Sequence, residues 1–391
     1  MSTHILPSRS SLFTSENGSS APIYTAKPLA DEVTLESASI CGPSPGDFER
    51  TSGPLALRLH DQIDGVSRPT IYHKHRISGA ALIQSEECSS TTKVALKFEG
   101  ALTIEIDGGV SQTISFLSET HVVWQAHECS SSPPSQLPFT IELTPEFADK
   151  DGRRRPLPPT CNFSLPSPTS LRARASYTMT LTVDRRRKHG VLPRSKSPSL
   201  SIPFDYVRRS KPHLPMRVGP ASDAALWFHQ TSQIDFKTPT TQPLLAKLSI
   251  PAAKVYWIGH SIAFHFTLAG PSDALRSLFP EHGAATVSVS LIRQVVANVR
   301  KVIRRGEMVL GEGTVRRIAD GNQDTVLRWE GEVRVSQPET VPAFDAGALL
   351  AKDFIVAEIT PPIANPAPFD MPPQRIPIFI RLTTDKHEDD P

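Results

Sequence analysis

The sequence has little of what several protein classes require. It carries 4 cysteines in 391 residues, a net charge of +2 and only 7% aromatic residues. Its cysteines, Cys41, Cys88, Cys129 and Cys161, form no Cys-x-x-Cys pair, so the spacing argues against common zinc and dithiol motifs and predicts free thiols. The near-neutral charge argues against a nucleic-acid binder that acts through bulk charge. We therefore expect no nucleic-acid partner.

Long apolar runs are absent as well. The opening residues, MSTHILPSRSSLF, contain no apolar core of about 7–15 residues, which a secretory signal would need. No stretch approaches the roughly 18 consecutive apolar residues of a membrane span. These features predict a soluble protein of a reducing compartment, the cytoplasm.

Proline, by contrast, is abundant. The chain contains 37 prolines, nearly twice the usual share of about 5%. Proline interrupts helices and is tolerated at strand starts, sheet edges and turns. Its spread over the whole length predicts many short strands and loops.

Apolar residues alternate with polar ones from about residue 54 onward. In the first half the pattern appears in VALKFEG, HVVWQAH, LPFTIEL and SYTMTLTVD, and in the second half in SIAFHFTLAG, TVLRWEGEVRV and RIPIFIRL. Gly, Pro or Ser separates these short runs, which are rich in β-branched and aromatic residues. The pattern predicts an all-β chain of antiparallel sandwiches.

Two segments raise the question of helix. Ser272 is placed to cap a short helix that carries Leu275 and Leu278. The segment 287–303 fits either a strand or an amphipathic helix, and its β-branched residues favour the strand. In the helical alternative, basic residues would form a membrane-surface face: Arg293, Arg300, Lys301, Arg304 and Arg305.

The patterns divide the chain into five segments. Residues 1–50 are expected to be disordered or loosely attached, although the part around 33–40 can add an edge strand. Residues 51–206 and 223–384 are predicted to form two β-sandwich domains, joined by a connection over 207–222. Residues 385–391 form an acidic tail.

Clusters of basic residues are the candidate binding sites. The run Arg185, Arg186, Arg187 and Lys188 is followed by no acidic residue until Asp205. Guanidinium groups bind phosphate bidentately, so the run predicts a phosphate or phosphoinositide site, with a solvated surface loop as the alternative. A second cluster spans 153–155. Two further arginines stand at the domain boundary and are expected to make interdomain contacts: Arg208 and Arg209.

Catalytic signatures are missing from the sequence. It contains no Gly-x-Ser-x-Gly, no His-Glu-x-x-His and no glycine-rich phosphate loop. His73 and His75 share one side of an extended segment, but two ligands on one strand do not close a metal site. We therefore expect neither an enzyme nor a bound metal or cofactor.

Several segments together resemble the arrestin family. In the first half they are Ile77-Ser78-Gly79-Ala80, the strand that closes on Gly100, Trp124 in HVVWQ, LPFTIELTPE, and LPPTCNFSLPSPTS, where Thr160 replaces the usual serine. SIPFDYVRRSKP resembles the boundary segment of fungal arrestin-like proteins. In the second half KLSIPAAKVYWIGHSIAFHFTLAG and RIPIFI are similar to the carboxy-terminal domain. The resemblance covers about residues 54–384.

The resemblance implies a fold and a role. It implies two arrestin-type, immunoglobulin-like β-sandwiches in tandem, acting as a cytoplasmic, non-enzymatic adaptor for cytoplasmic tails of membrane proteins in endocytosis, sorting or signalling. Such a protein would associate peripherally with the plasma membrane or endosomes, with anionic lipid as a further partner. The alternatives are a related sorting-coat scaffold and an enzyme built on a β-sandwich.

The resemblance also bears on ubiquitin-dependent trafficking. Many fungal members recruit a HECT-type ubiquitin ligase through Pro-Pro-x-Tyr or Leu-Pro-x-Tyr. This chain has neither motif in complete form, and Ala21-Pro22-Ile23-Tyr24 is a partial match. The ligase is therefore a partner implied by the family without its usual docking motif.

Overall fold

The computed structural model describes residues 35–36, 46–84, 91–126, 132–166, 170–185, 197–217, 219, 223–235, 242–279, 286–318, 325–336, 340–360 and 373–388. Within these ranges the chain is almost entirely β-strand, with one α-helix and one short 3-10 turn.

The first half of the chain forms two sheets that share one core. The first sheet has the strand order β2-β3-β5-β8: β2 (Gly46–Ser52), β3 (Leu55–Gln62), β5 (Arg76–Ile83) and β8 (Gln136–Glu142). The second has the order β4-β13-β12-β6-β7, with β11 also paired to β12: β4 (Thr70–Tyr72), β6 (Thr91–Ile106), β7 (Val110–Gln125), β11 (Cys161–Leu165), β12 (Leu171–Arg185) and β13 (Ser199–Val207).

Two small ladders complete the first half. Strands β9 (Glu146–Ala148) and β10 (Arg154–Pro156) form a hairpin. Strand β1 (Leu35–Glu36) pairs antiparallel with β14 (Lys211–Pro212) of the connection, so an edge strand does form in the part of the N-terminal segment where one was expected.

The second half repeats the arrangement. One sheet has the order β15-β16-β18-β22-β21: β15 (Trp227–Ile234), β16 (Leu244–Pro251), β18 (Ile262–Ala269), β21 (Thr314–Ile318) and β22 (Val326–Val333). The other has the order β17-β24-β23-β19-β20: β17 (Val255–Trp257), β19 (Thr286–Val299), β20 (Val302–Glu312), β23 (Leu349–Thr360) and β24 (Gln374–Thr383). The 3-10 turn is Ala224–Leu226, and helix α1 spans Ser272–Leu278.

Alternation along the strands produces the two cores. In β12, residues from Leu171 to Val183 are buried at every second position, while Arg172 and Arg174 point outward. Gly100, on the neighbouring β6, is required because a Cβ there would lie 2.3 Å from the Phe116 ring. The predicted all-β architecture of two sandwiches in tandem is thus confirmed.

The cores are not divided at the domain boundary. Residues of the second half belong to the core of the first sandwich: Val295, Ala297, Val299, Phe344, Ala346, Leu349 and Ala351. The second sandwich keeps its own core around Leu248, Phe264 and Phe266. The ends of β19 and β23 therefore bind the two halves together.

Three expectations need correction. Strand β2 begins at Gly46 and Phe48 is buried, so the segment 1–50 is not loosely attached throughout. Ser272 is the first residue of α1 and makes no cap, since Pro271 precedes the helix without a side-chain hydrogen bond. The helical alternative for 287–303 is wrong, because this segment forms β19, a tight turn and the start of β20.

Candidate functional site

The predicted basic run lies mostly outside the described residues. Strand β12 ends at Arg185, which is partly buried. Arg186, Arg187 and Lys188 fall outside the part of the chain that the structure describes. The phosphate or phosphoinositide site proposed for these residues therefore stays a prediction.

Arg209 binds the far end of the chain. Its Nε donates to Oδ2 of Asp385 at 3.1 Å, and Nη2 donates to Oδ1 of the same carboxylate. Asp385 follows β24, the last strand of the second sandwich. Burial acts to raise the pKa of Asp385, but hydrogen bonds from Arg209 and Thr384 outweigh it, so the pKa is lowered. Arg209 thus joins the connection to the end of the second half.

Arg208 lies next to Arg209 in sequence but has a different environment. It is partly buried and has no carboxylate partner among the described residues. Burial lowers the pKa of its guanidinium, and Arg381 acts in the same direction. Its charge is therefore incompletely compensated in the free protein.

Arg208 lines a cavity of about 1160 Å³ at the junction of the two halves. We call it the junction cavity. The first sandwich contributes Arg68, Arg174 and Arg208 together with Tyr206 to its wall. The second half contributes apolar side chains: Met308, Leu310, Val341 and Pro342. The cavity wall therefore combines arginines of the first half with apolar side chains of both halves.

A fourth arginine of the cavity wall is already neutralised. Arg293 on β19 donates from Nε and Nη2 to the two oxygens of Asp353 on β23, at 2.7 and 2.9 Å. Both side chains are fully buried, with 1% and 0% of their surface exposed. The guanidinium also lies over the Phe163 ring of the first sandwich, 5.9 Å from its centre. Arg293 is thus a core residue, which excludes it from the membrane-surface face considered above.

A second ion pair crosses the junction. Arg155 on β10 donates from Nε to Asp149 at 2.6 Å and from Nη1 to Asp345 of the second half. The hydrogen bond from Arg155 is the main cause of the lowered pKa of Asp149. Close by, the rings of Phe163 and Phe344 stack 6.1 Å apart. One member of the second basic cluster therefore serves as an interdomain contact.

The wall around Tyr206 holds a neutral histidine. His73 Nδ1 and the Tyr206 hydroxyl lie 2.7 Å apart, which fits a hydrogen bond from the hydroxyl to an unprotonated ring nitrogen. Burial, followed by the charges of Arg208 and Lys74, lowers the pKa of His73 to about 4. The backbone nitrogen of Tyr206 donates to Thr160 Oγ1 at 2.8 Å.

The remaining site predictions concern thiols and metals. Cys161 is a free, buried cysteine, and burial raises the pKa of its thiol to about 11. Cys41, Cys88 and Cys129 lie outside the described residues. Among the residues that are described, no three His, Cys, Asp or Glu side chains are grouped so as to hold a metal ion.

Sequence reasoning missed the junction cavity. Arg68 and Arg174 were not singled out, because neither belongs to a basic run of the kind found at 185–188. Arg174 was detectable only as an outward-facing position of the alternating strand RARASYTMTLTV. Its place in the same cavity wall as Arg208 depends on strand pairing between residues more than 30 positions apart.

Comparisons with known proteins find a similar solved structure but no matching family model or curated protein. No protein-family model matches the chain, and no curated protein matches it. The crystal structure of squid arrestin is similar to this structure with a TM-score of 0.42 and 12% sequence identity, over 86% of this chain and 97% of the squid protein. No helix among the described residues has the length and apolar character to cross a membrane.

Proposed function

We propose that the protein is an arrestin-like adaptor that binds cytoplasmic regions of membrane proteins in endocytosis, sorting or signalling. The observation that supports it is the place of the resembling sequence segments in the fold. Ile77-Ser78-Gly79-Ala80 lies in β5, Gly100 in β6, Trp124 in β7 and SIPFDYV in β13. In the second sandwich, RIPIFI forms most of β24, the closing strand. The segments thus follow the family's order on strands of two consecutive sandwiches.

Charge supports an acidic or phosphorylated region as the partner. The chain is nearly neutral, yet the exposed face of the first sandwich carries Arg172 and Arg174 on β12, neither of which makes an ion pair with a described residue. Arg185, the first residue of the run at 185–188, ends the same strand. Surface arginines of this kind favour carboxylate- and phosphate-rich ligands.

Binding to tail peptides tests the proposal. Synthetic peptides would tile the cytoplasmic segments of membrane proteins from the same cells, each with and without phosphorylated serine and threonine. We expect a subset to bind the full chain, with tighter binding of the phosphorylated forms. If no tail peptide binds while the protein elutes from native extracts in a constant multisubunit complex, the sorting-coat scaffold is the better description.

We further propose that the run at 185–188 contributes to peripheral membrane association. Changing Arg185, Arg186, Arg187 and Lys188 together to alanine is expected to reduce co-sedimentation with phosphoinositide-containing vesicles. The matched control is R153A/R154A, which removes two exposed arginines from another surface. Binding of the wild type should fade as salt rises to about 0.5 M, because screening shortens the reach of exposed charges. Equal binding by the quadruple variant would leave this run as a solvated loop.

A further inference from the structure

The wall of the junction cavity carries more positive than negative charge. Arg68, Arg174 and Arg208 line it, and Asp205 is the acidic residue of its described wall. Arg293 adds no excess, because Asp353 holds it in a bidentate ion pair. Three arginines against one aspartate leave an excess of two positive charges on the cavity wall.

None of the three arginines is neutralised by an acid. Arg68, Arg174 and Arg208 make no ion pair with any residue that the structure describes, and Asp205 does not reach them within salt-bridge distance. Arg68 and Arg174 are exposed, whereas Arg208 is partly buried. Burial is the first cause of the lowered pKa of Arg208, and no described acid provides this guanidinium with a counter-charge. An anion in the cavity would supply one.

The cavity wall also contains apolar side chains. Met308 packs against both cores, and Leu310 is 1% exposed within the core of the second sandwich. Val341 packs against the first core. Ligand pockets characteristically combine an apolar lining with a few convergent polar groups that fix the ligand's orientation. The junction cavity has this composition, since arginines of the first half and apolar side chains of both halves line it.

We infer that the junction cavity binds a small organic anion, whose phosphate or carboxylate group contacts Arg68, Arg174 and Arg208 and whose apolar part packs on Met308, Leu310 and Val341. Arginine suits both acid groups, since its planar fork donates two parallel hydrogen bonds to either. A volume of about 1160 Å³ accommodates an amphiphile rather than a bare ion. This inference goes beyond the proposed adaptor function and does not depend on it.

Such a ligand would hold the two halves together. The ligand contacts arginines of the first half and apolar residues of the second half. It therefore binds the assembled junction and not the separated halves. Ligands that bind only the native state raise its stability by mass action. The cavity would therefore make the rigidity of the junction depend on the supply of an anionic amphiphile.

The probes for a test are octyl phosphate, octanoate, inorganic phosphate and the neutral octyl glucoside, each below its micellar concentration. Titration calorimetry and thermal unfolding of the full chain would measure binding. We expect octyl phosphate, octanoate or both to bind and to raise the melting temperature. Inorganic phosphate and octyl glucoside should bind at least about tenfold more weakly, because each lacks one of the two contacts. The comparison of octyl phosphate with octanoate identifies the acid group.

Two variants and a control localise the site. R174Q/R208Q should weaken binding of the anionic amphiphile at least about tenfold, which corresponds to the loss of one charge-assisted contact. M308Q should weaken binding of the anionic amphiphile while leaving the affinity for inorganic phosphate unchanged. The matched control is R172Q, because Arg172 is exposed on the same face of β12 but does not line the junction cavity.

The inference is overturned if the amphiphiles fail to bind at about 1 mM, or if R174Q/R208Q binds them as tightly as R172Q. If octyl glucoside binds as tightly as the anionic amphiphiles, the contact between the acid group and the arginines is refuted. If inorganic phosphate binds as tightly as they do, the apolar contact is refuted. Because each variant is compared with its own ligand-free melting temperature, a change in stability alone does not imitate a change in binding. Tail-peptide binding by M308Q reports the adaptor function separately, because Met308 lies on β20 and not on the exposed arginine face of β12.

Discussion

Removing the carboxylate of Asp353 should strongly destabilise the second sandwich. In D353N the side chain keeps its size, but Arg293 is left as a fully buried cation without a counter-charge. Breaking a buried ion pair in this way typically costs about 3–5 kcal/mol, because the desolvated charge that remains has no compensation. The bidentate geometry, with both N–O distances below 3 Å, places this pair at the upper end of that range.

The double variant R293M/D353L separates the charge from the packing. It removes both charges and replaces them with apolar side chains of similar volume, so no unpaired group stays in the core. Such replacements are often neutral, and we expect the double variant to lie within about 1.5 kcal/mol of the wild type. The stability of R293K should fall between those of D353N and the double variant, since an ammonium group cannot form the bidentate pair.

Urea unfolding followed by tryptophan fluorescence measures these differences. Trp227, Trp257 and Trp329 belong to the second sandwich and Trp124 to the first, so the signal reports mainly on the half that contains the ion pair. The role of Asp353 as the required counter-charge of Arg293 is refuted if D353N lowers the free energy of unfolding by less than about 1 kcal/mol. It is also refuted if the double variant is as unstable as D353N. Either result would mean that water or a rearranged core compensates the charge of Arg293.

Three further predictions follow from other parts of the junction and core. R209Q removes the ion pair with Asp385 and should cost about 1–2 kcal/mol, visible as faster proteolysis after residue 205 than in the wild type. Because burial lowers the pKa of His73 from its ordinary value of 6.5 to about 4, the unfolded chain binds more protons than the folded one between these values. The contribution of neutral His73 to the free energy of unfolding is therefore present above pH 6.5 and is lost as the pH falls toward 4. H73N should flatten the dependence of the free energy of unfolding on pH in this range. G331A would place a Cβ 1.7 Å from the Thr314 carbonyl oxygen and should cost at least about 2 kcal/mol in thermal unfolding, whereas a variant with wild-type stability would contradict the strand spacing.

The strands were predictable because their determinants are local. Alternation in SYTMTLTVD places Tyr177, Met179 and Leu181 on one side, and these side chains are the ones buried in β12. The β-branched content of 287–303 likewise predicted a strand correctly over its helical alternative. The beginning of β2 was missed because GDFERTS offers only one buried apolar side chain, Phe48, within a polar segment.

The contacts at the junction were not predictable, since they join residues that are distant in sequence. Arg293 meets Asp353 across 60 residues, and Arg155 meets Asp345 across 190. In the sequence Arg155 is one member of the basic stretch 153–155. Alternation places Arg293 on the same side of β19 as the buried Leu291 and Val295, but only the register of β19 with β23 brings it opposite Asp353. The expectation that Arg208 and Arg209 form interdomain contacts rested on their place at the domain boundary. Arg209 forms an ion pair with Asp385, whereas Arg208 lines the junction cavity.

The apolar residues that the second half contributes to the first core impose an order on synthesis. Val207 ends the last large strand of the first sandwich, whereas Ala351, which completes that core, is made 144 residues later. At about 5–20 residues per second, the interval is roughly 7–30 s. During it, the nascent first half exposes the apolar surface that β19 and β23 later cover. A ribosome-bound chain of this protein should therefore need protection by chaperones until its second half emerges.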